Sequence, residues 1–358
     1  MIALSLPRDH VEKGKREMRL LGHLCALLQL AMAGAILAPA AFAAQAGQPL
    51  ALTQESQPFH RGVNVLGYDP YWNTGGQRRF EWRHFAAIHD AGFDFVRVNL
   101  QAFRHMDGSG RLEPQWLVKL DDVVREAQRN GLGVILDEHD FDACSKDVEA
   151  CRAKLTAFWK QVAPLYASAP RNVAFELLNE PHDKLDGEVW NVLLAQLLGI
   201  VRNSNPTRIV VVGPTHWNSL ADLQLLKLPP DPDLLVTFHY YEPFHFTHQG
   251  ATWAGEEVKH LHGITWGTAD DRSRLSADFD KVSAWSQANR RPILLGEFGA
   301  YDMSGTPLDL RVAYIGAVRS EAERRGFGWS YWQFEGNFVA WDMPNQRWVE
   351  PVLKALIP

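Results

Sequence analysis

From Arg61 to Phe334 the chain repeats one pattern eight times: a short apolar run, then a longer stretch of mixed polarity. The runs are RGVNVLG (61–67), FDFVRVNL (93–100), LGVILDEH (132–139), AFELLNEP (174–181), RIVVVG (208–213), LLVTFHYY (234–241), PILLGEFGAY (292–301) and FGWSYWQF (327–334). Their bodies are apolar on both faces, as strands of a parallel sheet covered by helices must be. The stretches between them read as helices. From Trp116 to Arg129, for instance, Trp116, Leu120, Val123, Val124 and Ala127 share one face at helical spacing. Eight βα repeats with no internal sequence repeat and no appended module predict an α/β fold, a single-domain (β/α)8 TIM barrel.

Polar residues gather where the runs end. They are Asn64; Arg97 and Asn99; Asp137, Glu138, His139 and Asp140; Asn179 and Glu180; His239, Tyr240 and Tyr241; Glu297; and Trp332, with His216 and Trp217 just after the fifth run. In a barrel these positions share the C-terminal rim, where such folds keep their chemistry. Two carboxylates on one rim, Glu180 and Glu297, are what cleavage of a glycosidic bond requires: an acid for the leaving oxygen and a carboxylate at the anomeric carbon. Arginine and histidine beside a carboxylate hydrogen-bond it and hold it charged. An amide such as Asn179 grips a sugar hydroxyl, Asn64 is read as a substrate-binding residue as well, and tryptophan offers a flat face to a pyranose. Taken singly, either glutamate or Arg97 reads equally as a structural ion pair. Trp82, Trp116 and Trp159 fall on helices and read as core. The run DEHD at 137–140 has metal-ligand types, but without HExxH or a second cluster it predicts neither metal nor cofactor.

The N-terminus follows other rules. Lys13, Lys15, Arg16 and Arg19 precede the apolar run LCALLQLAMAGAILAPAAFA, and Ala41, Ala43 and Ala44 supply small residues of a cleavage site. Residues 1–44 therefore read as a secretory signal, with Met18 a start that leaves a compact leader. An uncleaved anchor is the rival reading. Residues 45–58 read as a linker and 59–358 as the catalytic domain. Removing 1–44 takes away five Lys/Arg and three Asp/Glu, moving the net charge from −6 to −8. That balance argues against nucleic acid or an anionic membrane as partner, and leaves neutral polymers open. Cys144 and Cys151, seven positions apart in an exported chain, read as a disulfide, the alternative being two free thiols.

In order, FVRVNL, LLNEP, TFHYYEPFHFTHQGATW, LLGEFGAY and SYWQF resemble glycoside hydrolase family five, the cellulase family of clan A, over roughly residues 60–340. The resemblance implies a retaining mechanism with Glu180 as general acid/base and Glu297 as nucleophile. It implies that Arg97 and Tyr241 support the nucleophile. His139 and His239 would line the catalytic subsite, and Trp332 would be the sugar platform beneath it. Trp217 and Trp253 would be aromatic positions farther along the cleft. It departs from the pattern at Asp140, where close relatives often carry a second histidine, and in the loop holding the cysteines. Those changes bear on sugar specificity.

The expectation is a secreted, monomeric endo-β-1,4-glucanase acting on a β-linked polysaccharide. A β-mannanase or mixed-linkage glucanase is the alternative within enzymes. An inactive sugar-binding barrel is the alternative outside them, and it would typically lack one glutamate. A phosphate-binding barrel would need a glycine-rich loop after strand seven or eight, where WQFEGNF offers only Gly336.

Overall fold

The computed structural model describes residues 51–358, so the expected signal segment lies outside the described residues. Eight parallel strands close into a barrel in chain order. They are β1 (Arg61–Val65), β2 (Phe95–Leu100), β3 (Gly133–Glu138), β4 (Val173–Glu176), β5 (Val210–Val212), β6 (Leu234–Tyr240), β7 (Ile293–Phe298) and β8 (Gly328–Tyr331). β8 returns to β1 and closes the ring. The expected (β/α)8 barrel is the observed one.

Alternation along each strand sorts its residues. In β2, Val96, Val98 and Leu100 join the large core between sheet and helices. Phe95 instead joins Ile135, Ala174, Ile209, Leu235 and Leu294 in a separate apolar cluster. These residues begin their strands, so they fill the barrel's interior at its N-terminal end. Two and four residues above Phe95 on the same inward face stand Arg97 and Asn99, both fully buried. The interior thus changes from apolar base to polar rim within one strand.

The helix read over 116–129 forms as expected, but the cysteine-bearing stretch read as a loop is helical, Phe141–Lys146 followed by Val148–Val162, with Asp147 accepting from the Ala150 N–H to start the second. Helix Pro114–Arg129 buries Trp116, Leu120, Val123, Val124 and Ala127, the predicted stripe. It starts two residues before the expected Trp116 because Pro114 occupies the first turn, where its missing N–H costs nothing. Truncating one of these large core side chains to alanine costs about 2–5 kcal/mol. Residues 51–58 fall in the stretch read as a linker, yet they pack: Leu52 is buried in the barrel-base cluster, and Gln57 Oε1 accepts from the Phe59 N–H at 2.8 Å. A two-stranded hairpin, β9 (Trp341–Asp342) with β10 (Arg347–Trp348), follows β8 and was not legible as strand. No helix among the described residues is long and apolar enough to cross a membrane.

Cys144 and Cys151 form the expected disulfide, joining helices Phe141–Lys146 and Val148–Val162 beside β3. The loop it closes is short, so its loss should cost only about 2–3 kcal/mol. Thiol titration of unreduced, denatured protein should find neither cysteine free, and the Cys144→Ala/Cys151→Ala variant should stay folded with a lowered Tm. Two titrating thiols would overturn the pairing.

Candidate active site

Arg97 is the centre from which the rim is built. It is fully buried and surrounded by acceptors. Its Nε and Nη2 form a fork with Glu176, at 2.7 and 2.9 Å. Nη1 donates to Glu297 Oε1 at 2.7 Å and to Asn64 Oδ1 at 2.8 Å. Nη2 also donates to Asn179 Oδ1 at 2.7 Å and lies 3.1 Å from Asp137 Oδ2. Burial opposes the charge, but Asp137, Glu176 and Glu297 outweigh it and hold the guanidinium's pKa well above its usual value. Burial would likewise raise Asp137, yet Arg97 and His139 bring it below the usual carboxylate range.

The two glutamates reach the rim by different backbone devices. Between β6 and β7 the register slips at Phe238/His239, so that His239 pairs with Glu297 and Gly296 is the extra residue. A side chain at Gly296 would collide with Thr237 Oγ1 at 2.5 Å and His239 Nε2 at 2.9 Å. Glycine there lets the imidazole lie against β7. Glu180 lies four residues past the end of β4 with φ 39°, a left-handed conformation costing about 1–3 kcal/mol in a non-glycine residue. Asn179 N–H is still held by Glu138 O at 2.8 Å, so the turn comes at Glu180 itself. It brings Oε1 within 2.6 Å of His239 Nδ1.

One oxygen of each glutamate and His239 Nδ1 all lie within 4.8 Å of one another. A divalent cation would fit such a set by size. Each atom, however, already has a protein partner: His239 on Glu180, and on Glu297 Oε2 the Tyr241 hydroxyl, which donates at 2.9 Å. Burial and the neighbouring Glu297 push the Tyr241 pKa well above its ordinary value, so it stays a donor. Burial raises Glu180 to about 7, only partly offset by His139, Arg97 and His182. Burial lowers His239 to about 4 against the pull of Glu297. The site therefore holds a carboxyl that is protonated in mildly acidic solution next to a neutral imidazole.

Around this pair, His139 Nδ1 meets Asp137 Oδ2 at 2.6 Å, and its ring lies flat against Trp332, centroids 5.6 Å apart and 7° from parallel. Burial works against a charge on His139, but Asp137 lifts its pKa above the usual value. Trp332 is 8% exposed, backed by Ala251, Tyr301 and Phe338. Trp217 and Trp253 stand out at 44% and 56% exposure. Trp217 stacks on His182 at 4.6 Å, and Trp253 sits edge-on to Tyr301 and His248.

Asn64 departs from expectation. It was placed with the substrate-binding residues, but it is fully buried. Its Oδ1 accepts from Arg97 and Asn99, and its Nδ2 donates to Ser330 Oγ and Gly296 O. With its polar atoms engaged below the rim, it braces Arg97 and does not face the cleft. Asp140, the departure from the family pattern, turns Oδ2 to the Phe103 N–H at 2.7 Å in the loop after β2. Glu176 and Asn218 were missed. The strand rule of twos would have found Glu176, two positions above inward-facing Ala174. Asn218 follows no such rule.

A groove of about 700 Å³ lies outside the barrel among helices Ala269–Asn289, Leu308–Arg324 and Glu350–Leu356, and it shares no residue with the rim. The rim is the chemical site. A parallel barrel with two carboxylates so close at the ends of β4 and β7 has the architecture of a retaining glycoside hydrolase. The chain belongs to glycosyl hydrolase family 5, the cellulase family, whose model matches residues 54–338.

Its relatives are consistent with that placement. Endoglucanase H of Acetivibrio thermocellus is 31% identical over 265 residues, 74% of this chain but 28% of that protein. Cellodextrinase A of Ruminococcus flavefaciens is 29% identical, over 70% of this chain and 78% of its own length. Among solved structures, endoglucanase Cel5A of Thermotoga maritima superposes with a TM-score of 0.80 at 33% identity, covering 86% of this chain and all of that one. The chain spans between about a quarter and two fifths of the length of some curated relatives it matches.

Proposed function

We propose that this protein is a retaining endo-β-1,4-glucanase. The observation that carries the reading is the approach of Glu180 and Glu297, whose nearest oxygens lie within 4.8 Å. Retention needs carboxyl groups about 5–5.5 Å apart, whereas inversion needs about 6.5–9.5 Å to admit a water. In this reading Glu297 attacks the anomeric carbon while Glu180 protonates the departing sugar oxygen. Glu180 then takes a proton from the water that releases the glycosyl-enzyme. Arg97 and Tyr241 hold the Glu297 carboxylate in place. Asn179, His139 and His239 line the reacting subsite, Trp332 is the sugar platform there, and Trp217 and Trp253 extend the cleft.

A β-mannan substrate is the second reading, because Thermotoga maritima Cel5A has been solved with both cellobiose and mannotriose. Reducing-sugar release from carboxymethylcellulose, with product profiles on glucan, mannan, xylan and xyloglucan, separates the two. Proton NMR of the first-formed anomer tests retention. An α-anomer as first product would remove Glu297 from its role, and no release from any polymer would favour a binding barrel.

We also propose export. The basic flank and apolar run ahead of Ala44 support it. The secreted protein should begin near Ala44–Gly47 by mass spectrometry, and secreted material retaining Met18 would overturn cleavage.

A further inference from the structure

After β5 the chain passes through Gly213 and Pro214 and then takes three consecutive left-handed, non-glycine residues: His216 (φ 59°), Trp217 (φ 58°) and Asn218 (φ 55°). Each is unfavourable for an L-residue, and asparagine tolerates it best. The turn sends neighbouring side chains opposite ways. Trp217 is half-exposed, while Asn218 is fully buried. The Asn218 amide Nδ2 lies 3.2 Å from His239 Nε2. A bridge between Ser219 and His239 fixes this register in the backbone. A Cβ on residue 213 would stand 2.1 Å from Asn218 Oδ1, so the amide occupies space that exists because Gly213 has no side chain. Asn218 Oδ1 has no hydrogen-bond partner among the described residues. The side chain is therefore held for one contact, the imidazole.

A neutral imidazole carries a single N–H. If Asn218 donates to Nε2, that nitrogen is the acceptor and the proton sits on Nδ1, facing Glu180 Oε1 at 2.6 Å. Oε1 is then an acceptor, and the Glu180 proton resides on Oε2, which has no protein donor among the described residues. The opposite tautomer would put a lone pair on Nδ1. Glu180 would then bury its proton in the imidazole, away from a glycosidic oxygen.

We propose that Asn218 is a positioning residue: by donating to Nε2 it fixes His239 as the Nδ1–H tautomer, which occupies Oε1 of Glu180 and reserves Oε2 for the catalytic proton. This rests on Glu180 being the acid/base. In the first step the Oε2 proton passes to the leaving oxygen as the glycosidic bond breaks and the bond to Glu297 forms. In the second, water returns a proton to Oε2. Burial supports the arrangement by keeping His239 neutral, with its pKa near 4. The other charged or titratable groups facing the pair are Tyr68 after β1, Arg97 from β2, Asp137 from β3 with His139 just past its end, His182 after β4, Tyr241 after β6 and Glu297 from β7. None changes when Asn218 is replaced.

The test has a spectroscopic arm and a kinetic arm. In the wild-type protein with ¹⁵N-labelled histidine, NMR should show His239 protonated at Nδ1 and bare at Nε2. An Nε2–H tautomer overturns the proposal without recourse to any variant. Asn218→Leu keeps the size but removes the donor at Nε2 without adding a charge beside the ring. Nothing then keeps Nε2 bare, so the ring is free to carry its proton there and to accept the Glu180 proton at Nδ1. The kcat/KM for an unactivated cello-oligosaccharide should fall about tenfold or more, the scale of partial loss of general-acid help. For a dinitrophenyl cellobioside, whose leaving group needs no proton, it should fall less than about threefold. Equal loss on both substrates would mean a merely structural role, and loss on neither would mean no role. If azide fails to rescue Glu180→Ala, the acid/base assignment falls instead, whatever the tautomer.

Discussion

Glu297→Ala should stop hydrolysis of every β-glycoside, with kcat reduced by about 10⁴-fold or more, the scale of deleting an enzyme nucleophile. Glu180→Ala should behave differently. Its loss should be about 10²–10⁴-fold on a natural oligosaccharide, which needs a proton on the leaving oxygen. On a dinitrophenyl cellobioside the first step should be spared and the second slowed, so the glycosyl-enzyme accumulates. Added azide should then speed turnover and yield the β-glycosyl azide, because azide attacks the glycosyl-enzyme without base help. An α-azide, or equal loss on both substrates, would undo the assignment. The pH profile follows from Glu180. Burial raises its pKa to about 7, and the first step uses the protonated form. On natural substrates kcat/KM should therefore fall as pH rises through about 7. On the dinitrophenyl substrate that alkaline limb should be absent.

Why some of this was legible and some not comes down to what a side chain's neighbours in sequence reveal. Glu180 and Glu297 each close an apolar run, and a carboxylate there has little choice but the rim. The stripe of helix Pro114–Arg129 was legible because Trp116 and its partners recur at helical spacing. Glu176 sits inside an apolar strand and was read as part of it, although the charge of Arg97 needs its buried carboxylate. Asn64 erred the other way. It lies near its strand's end, but its Oδ1 is already shared by Arg97 and Asn99, and proximity to the end says nothing of height within the barrel. Asn218 was illegible for another reason. Its placement depends on three left-handed residues, none of them glycine, and THWN carries no turn signal strong enough to announce them. Resemblance implies what spacing does not, namely which glutamate would be the acid.

Arg97→Met should be the most destabilising single change at the site. The guanidinium is fully buried and meets Glu176, Asp137 and Glu297, at 2.7, 3.1 and 2.7 Å. Removing one partner of a buried ionic cluster costs about 3–5 kcal/mol, because the remaining charges lose their compensation. The deficit should depend on pH in a stated direction. In the wild type Asp137 is held below its ordinary pKa, largely by Arg97 working against burial. Glu176 already stands raised to about 7, because burial outweighs Arg97 there. Without Arg97, burial dominates at both, so that Asp137 rises above its unfolded value and Glu176 rises further. Stability from such raised groups is present below the unfolded pKa and lost as pH rises through the folded one. The variant should therefore come nearest to wild type at about pH 4 and fall farthest behind above about pH 7. Adding Glu176→Gln takes away one stranded charge, so the double variant should recover part of the Tm without recovering activity, since Glu297 still lacks its guanidinium. Thermal unfolding of the three variants across pH decides the matter. A deficit that does not change with pH, or a double variant less stable than Arg97→Met alone, would mean that lost packing, and not the stranded carboxylates, sets the cost.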